Sequence, residues 1–312
     1  MKPTAVLAIG GNSLIRTKDK SSFADQLATV AETSRHIADL VESGSEVVVT
    51  HGNGPQVGFL LLRSHLSRTR LPEIPLDACN ALTQAEVGYM IQQALGNEFR
   101  RRGVRKSVVT VVTQVVVDAD DPAFKEPSKP VGPFYTKAEA NRLTKELGWA
   151  VREDAGRGFR RMVASPRPVE VVEQADIEHL LAGGAVVVAC GGGGIPVVRK
   201  DGVLSGVAAV IDKDHASSLL AGSIKAQRLI ITTAVDAVYV NWGQPNQQAL
   251  GRVTADEMQR HAAAKQFPSG SMGPKVEAAL DFLQRGGEEV IITDPEHLSE
   301  AMKGRAGTVI RA

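Results

Sequence analysis

Apolar positions along the chain follow two periods. Short β-branched runs stop abruptly at glycine. Val6-Leu7-Ala8-Ile9 stops at Gly10-Gly11-Asn12-Ser13, and Val47-Val48-Val49-Thr50 at His51-Gly52-Asn53-Gly54-Pro55. Ala185-Val186-Val187-Val188 runs through Ala189-Cys190 into Gly191-Gly192-Gly193-Gly194-Ile195-Pro196. Each run has the length of a buried strand, and each glycine cluster reads as the turn after it. Helical spacing fills the intervals. Phe23, Leu27, Val30, Ala31, Ile37, Leu40 and Val41 make one apolar face over Ser22 to Ser43, with Gly44 as the stop. Pro55 suits the first turn of a second helix. A long third helix is predicted from about Asn80 to Arg102. Its inner stripe of Leu82, Glu86, Tyr89, Met90, Gln93 and Phe99 includes polar members, so it could pack on a second subunit as easily as on its own sheet.

Ser107 to Val117 reads as one long Val/Thr strand. The rhythm then breaks. Asp118 to Pro122 and Glu126 to Pro133 carry residues that interrupt regular structure. Phe134 to Gly148 has helical spacing, Trp149 to Arg152 resembles a strand, and Ser165-Pro166-Arg167-Pro168 closes the excursion. Two roles fit it: a lid that shuts a crevice from water, or a surface insertion with no catalytic part. Lys129, Arg157, Arg160 and Arg161 favour the lid, since a phosphoryl donor needs cations nearby. Regular alternation resumes at Val169 to Val172, with a helix over Ile177 to Leu181 and a hairpin around Asp201-Gly202. Asp212-Lys213-Asp214 opens a helix through Leu219 and Leu220. Arg228 to Thr233 is a strand, and Thr254 to Glu257 has capping-box spacing. A Gly/Ser loop at Ser269 to Lys275 enters a last long helix, and Val290 to Thr293 and Thr308 to Ile310 close the sheet. The alternation predicts an α/β fold whose ligand crevice lies at the carboxyl edge of a parallel sheet.

Composition narrows the function. The 312 residues suffice for one large domain or two lobes. A net charge of +1 with 4% aromatic residues supports neither nucleic acid nor a membrane surface as partner. Cys79 and Cys190 lack metal-ligand spacing, so no metal site is assigned to them. No apolar run approaches the ~20 residues of a membrane span, and the start of the chain has no cleavable leader pattern. The cytoplasm is the expected compartment.

Taken singly, each glycine loop is as well explained by a tight turn as by an anion cradle. Three of them, each after a Val/Ile-rich strand, point to one anion-handling crevice. Lys129, Lys213 and Lys275 stand out because each sits in a Gly/Pro context or at a helix start. Glycine loops, helix N-termini and fixed lysines together suit phosphoryl transfer, where position and electrostatics do most of the work. The P-loop pattern, the protein-kinase motifs and Gly-x-Ser-x-Gly are absent. His51 reads better as a loop-ordering donor than as a base, because an anionic acceptor needs no deprotonation.

Six stretches carry a family resemblance. They are Gly10-Gly11-Asn12, His51 to Gly58, Glu153-Asp154 with Gly156-Arg157-Gly158, Ala189 to Pro196, Ala209 to Asp214, and Gly270-Ser271-Met272-Gly273-Pro274-Lys275. In this order they span the chain and resemble the carbamate kinase family of the amino acid kinase superfamily. The resemblance implies a three-layer αβα sandwich with a mostly parallel central sheet and a small protruding lid over about 119–166. It implies one domain over 1–312. The N-terminal half, to about 205, would hold the carbamate site and the dimer surface, and the remainder the nucleotide. The implied reaction is reversible transfer of the ATP γ-phosphoryl to carbamate, giving carbamoyl phosphate and ADP. Mg²⁺ would take part, in a cytoplasmic homodimer, with ATP synthesis as the direction in catabolism such as arginine metabolism.

The resemblance also distributes roles. Gly10, Gly11, Asn12, Gly52, Asn53 and Gly54 would hold the small acid. Lys213 and Lys275 would flank the transferring group with Asp214 orienting them, and Lys129 would come from the lid. Gly191, Gly192, Thr233, Asp236, Tyr239, Ser271 and Met272 would join Lys213 and Lys275 at the nucleotide. Ser13 departs from the alanine common in the family and bears on fine substrate geometry. Two rivals remain at this level: an amino acid kinase with a larger acceptor, and a nucleotide sensor without turnover. No arginine near Gly10 or Gly52 answers to the first, and retention of Lys213, Asp214 and Lys275 speaks against the second.

Overall fold

The computed structural model describes residues 2–11, 14–15, 20–154, 156, 158–268 and 270–312. Asn12, Ser13, Arg157 and Ser269 therefore lie outside the described residues. The strands are β1 (Thr4–Ile9), β2 (Glu46–His51), β3 (Val108–Thr110), β4 (Gln114–Val117), β5 (Lys129–Tyr135), β6 (Val151–Glu153), β7 (Phe159–Val163), β8 (Pro168–Val171), β9 (Val186–Val188), β10 (Ile195–Lys200), β11 (Val203–Gly206), β12 (Arg228–Thr232), β13 (Val238–Val240), β14 (Gln248–Leu250), β15 (Arg252–Thr254), β16 (Glu289–Thr293) and β17 (Thr308–Arg311). The helices are α1 (Phe23–Glu42), α2 (Gly54–Ser67), α3 (Leu76–Arg102), α4 (Lys137–Leu147), α5 (Gln174–Ala182), α6 (Lys213–Ser223), α7 (Ala255–Ala263), α8 (Met272–Gln284) and α9 (Leu298–Met302).

Eight strands form the central sheet in the order β15-β17-β16-β12-β1-β2-β9-β3. Every neighbouring pair is parallel except β16 with β17. The period of two decides the layers. Ala5, Leu7 and Ile9 face one side with Val30, Ile37, Met90, Leu95 and Phe99 of α1 and α3. Val6 and Ala8 face the other with Leu219 and Leu220 of α6 and Val276 and Phe282 of α8. The αβα sandwich follows, and β1 is apolar throughout because both its faces are covered. Strand β1 also lies at a switch point: β2 joins one edge and β12 the other. Their carboxyl ends bring Gly10, Gly52 and Thr233 to one crevice.

Several expectations need correction. Ser107 to Val117 is not one strand. β3 stays beside β9, while β4 crosses to a second sheet, β11-β10-β4-β8. The crossing is held by Gln84, whose Oε1 accepts from Thr113 N at 2.8 Å and whose Nε2 donates to Thr113 O at 3.0 Å. The long helix starts at Leu76, and its inner face differs from the predicted stripe. Met90 and Phe99 are buried, but Leu82 and Tyr89 are exposed, and Asn80, Thr83 and Gln84 are inside instead. Strands β16 and β17 join the central sheet as expected, but its edges are β15 and β3.

The excursion is a real substructure. β5, β7 and β6 form an antiparallel sheet with α4 beside it, and Asp121 Oδ2 accepts from Arg167 N at 2.9 Å across its base. Strand β5 forms despite Pro130 and Pro133, because it is an edge strand and needs no ladder donor on its open side. Val131 and Val163 of this unit pack with Val57, Leu76, Cys79 and Val210 of the main body.

Candidate active site

The site is built around the first turn of α6. Asp212 is the N-cap, its Oδ1 accepting from Asp214 N at 2.9 Å. That cap fixes the direction of the next two side chains. Lys213 Nζ donates to Asp214 Oδ1 at 2.5 Å, and Lys275 Nζ, from the first turn of α8, donates to Asp214 Oδ2 at 2.9 Å. One buried carboxylate thus holds two ammonium groups. Burial pushes the Asp214 carboxyl up, but Lys213 and Lys275 outweigh it and hold it below the usual carboxylate range. Burial and the Lys275 charge push the Lys213 ammonium down, with Asp214 opposing. Lys129 reaches the same turn from β5 and donates to Asp212 Oδ2 at 2.6 Å.

On one side of this bridge lies the end of β2. A Cβ on Gly52 would stand 3.7 Å from Lys213 Cδ and 3.9 Å from Gly11 N. Gly10 N donates to Thr232 Oγ1 at 3.0 Å, and Gly52 N to Ile9 O at 3.2 Å. These two amides, predicted to face the acid, are occupied within the protein. The Asn53 carboxamide is turned away as well. Its Nδ2 donates to Thr83 Oγ1 at 2.8 Å and Asn80 Oδ1 at 3.3 Å. Asn53 is also the N-cap of α2, so no side chain caps the amides at the start of α2. An uncapped helix start leaves backbone N–H donors that can meet an anion.

His51 is fully buried and its Nδ1 lies 2.9 Å from Gly52 O, an acceptor, which makes Nδ1 the protonated nitrogen. Burial lowers its pKa to about 4; the Gly52 carbonyl opposes this and Lys213 adds to it. It is a neutral loop-ordering donor.

The four-glycine turn has a different cause from the one expected. Gly191, Gly192, Gly193 and Gly194 are buried, and the last three have positive φ. A Cβ on each would run into His51 Nε2, Asn53 Nδ2, Ile211 O and Val115 Cγ2 respectively. Glycine is required there by packing. Gly191 and Gly192 sit against His51 and Asn53, and neither they nor Lys213 line the cavity that five of the other predicted nucleotide residues share.

That cavity, of about 280 Å³, is lined by Thr233, Tyr239, Ser271, Met272 and Lys275, together with Trp242 and Phe267. Asp236 does not line it but accepts from Tyr239 OH at 2.8 Å. No side chain caps α8, which starts at the cavity. Of the predicted lid cations, Arg160 is tied to Asp154 and the Gly132 carbonyl, and Arg161 stacks on Trp149 at 4.4 Å. They hold the inserted unit together. Among the described residues no group of three His, Cys, Asp or Glu could hold a metal ion, and no helix is long and apolar enough to cross a membrane.

The sequence pattern of the amino acid kinase family matches residues 3–294. The carbamate kinase of Thermococcus kodakarensis is 48% identical over 98% of both chains, and that of Staphylococcus haemolyticus 48% identical over 98% of both. The chain belongs to the carbamate kinase family. Carbamate kinase from Giardia lamblia bound to AMP-PNP superposes with a TM-score of 0.94 at 41% identity, covering 99% of this chain and 98% of that one. Trp242, Phe267, Thr232 and the Asn80–Thr83–Gln84 stripe were missed from sequence. The stripe had a signal: polar residues three and four apart, in register with Val87 and Ile91.

Proposed function

We propose that this carbamate kinase family member transfers the γ-phosphoryl of ATP reversibly to carbamate, giving carbamoyl phosphate and ADP. The carrying observation is the Lys213–Asp214–Lys275 bridge, with Lys213 beside Gly52 and Lys275 in the cavity wall. The two ammonium groups neutralise charge on the travelling phosphoryl oxygens, and Asp214 keeps them oriented. The open start of α2 receives the acid and that of α8 the nucleotide phosphates. Residues up to about 205 hold the acceptor and the rest the nucleotide, with Lys129 supplied by the inserted lid. Mg²⁺ arrives with the nucleotide, since the described carboxylates form no cage for it. The enzyme works in the cytoplasm as a homodimer, offering the exposed Leu82 and Tyr89 face of α3 to a second copy.

The test is ATP formation from MgADP and carbamoyl phosphate by purified protein, beside a panel of larger acyl phosphates. Turnover confined to carbamoyl phosphate is expected. MgADP binding without turnover sinks the proposal in favour of a sensor, and preference for a larger acceptor sinks the substrate. Lys213→Ala should lower kcat by ~10²–10⁴ with little change in MgADP affinity. Unchanged kcat removes Lys213 from the mechanism.

A further inference from the structure

Asp214 joins α6 to α8 on the inside of the site. A second junction joins the same helices on the outside. Arg167 Nη2 donates to Glu277 Oε2 at 2.6 Å, and Arg167 Nη1 lies 2.7 Å from the ring nitrogens of His215. His215 stands two residues after Lys213, and Glu277 two residues after Lys275. Residues two apart on a helix point to opposite faces. Each lysine that faces the crevice therefore has a partner on the outer face, and Arg167 holds both partners.

Arg167 belongs to neither helix. It sits where the inserted unit returns to the main body, and its backbone N–H is bound by Asp121 at the unit's other stalk. Asp121 in turn caps the short turn after it, its Oδ1 accepting from Ala123 N at 2.8 Å. The unit also reaches the start of α6 through Lys129 on Asp212. Both contacts fall on the first turn of α6, the turn that aims Lys213 and Asp214. Other contacts besides Arg167 also pack α6 on α8, His215 Nε2 lying 3.6 Å from Glu277 Oε2. Ser218 Oγ donates to Asp281 Oδ2 at 2.8 Å further along, and Leu219, Leu220, Val276 and Phe282 share one apolar cluster.

We propose that Arg167 is a positioning residue, tying the seating of the inserted unit to the spacing of Lys213 and Lys275. When the unit swings away, Arg167 leaves His215 and Glu277, and the first turns of α6 and α8 lose their outer strut. The lysine pair is then set for transfer only while the unit is seated. This rests on the phosphoryl-transfer function proposed above. It adds a residue that touches neither nucleotide nor acid.

The experiment compares Arg167→Ala, Arg167→Lys, Glu277→Gln and the Arg167→Ala/Glu277→Gln pair with the wild type. It measures kcat, KM for MgADP and thermal midpoint. Arg167→Ala should lower kcat about 10- to 100-fold, the cost of a small misplacement of catalytic groups, with KM for MgADP within about twofold. Arg167→Lys should recover part of the loss. Glu277→Gln should cost less alone and add nothing to Arg167→Ala, because both remove one junction. A kcat within about twofold of wild type for Arg167→Ala overturns the inference, as do additive losses in the pair. If Arg167→Ala is too unstable to assay, Glu277→Gln decides alone: kcat must fall with the thermal midpoint unchanged, and unchanged kcat overturns it. An inactive wild type overturns the proposed function itself, whereas an active wild type with an unaffected Arg167→Ala overturns only the role of Arg167.

Discussion

The two ends of the crevice are made of different material. At the end proposed for the acid, Asn53, Gln84 and His51 are buried, hydrogen-bonded and pressed against a turn of bare backbone. At the end proposed for the nucleotide, the walls are side chains around open space, and Trp242 is 55% exposed. A small acid offers too few atoms for side-chain recognition. It must be met by backbone groups, and only tight packing fixes those. A nucleotide is large enough for apolar walls to grip, and such walls need little support behind them. One end should thus answer to mutation through stability, the other through affinity.

Gly192→Ala gives the largest break. A methyl group there meets Asn53 Nδ2 at a positive φ, and unfolding free energy should drop by roughly 3 kcal/mol, measured by urea titration. A loss too small to detect would mean that the turn is not packed as described. His51 comes next. Its folded pKa of about 4 lies below the ordinary 6.5, so the unfolded chain binds the extra proton first. Stability is therefore lost as pH falls, by about 2 kcal/mol between about pH 7.5 and about pH 5. His51→Gln should flatten that part of the pH dependence; equal slopes in the two proteins would acquit His51. Tyr239→Ala should be mildest, raising KM for MgADP ~5-fold, about 1 kcal/mol, with stability and kcat near wild type. A large loss of stability there would erase the contrast between the two ends.

Much of the scaffold was readable in advance. Strands β1, β2 and β12, the Asp201-Gly202 hairpin and the boundaries of α1 follow from local periods and caps, which need no knowledge of the rest of the chain. The position of Lys213 and Lys275 at helix starts, beside carboxylate and glycine, was also legible. The break at Val111 to Thr113 was not. Its cause is Gln84 on a helix 29 residues earlier. The β5 strand hid behind its prolines, since nothing local shows that an edge is open.

Amino-acid order alone established most strands and helices of the main body, several of their turns, and which few charged groups stand at helix starts. Those features depend on neighbours within a turn or two. The fold decided which partners several of the glycines and cations meet. Gly192 turned out to be a packing necessity beside Asn53, Arg161 a stacking partner of Trp149, and Arg167 a link between helices. A hydrogen bond or a collision is a property of two groups in space, and for these the partners lie far apart along the chain.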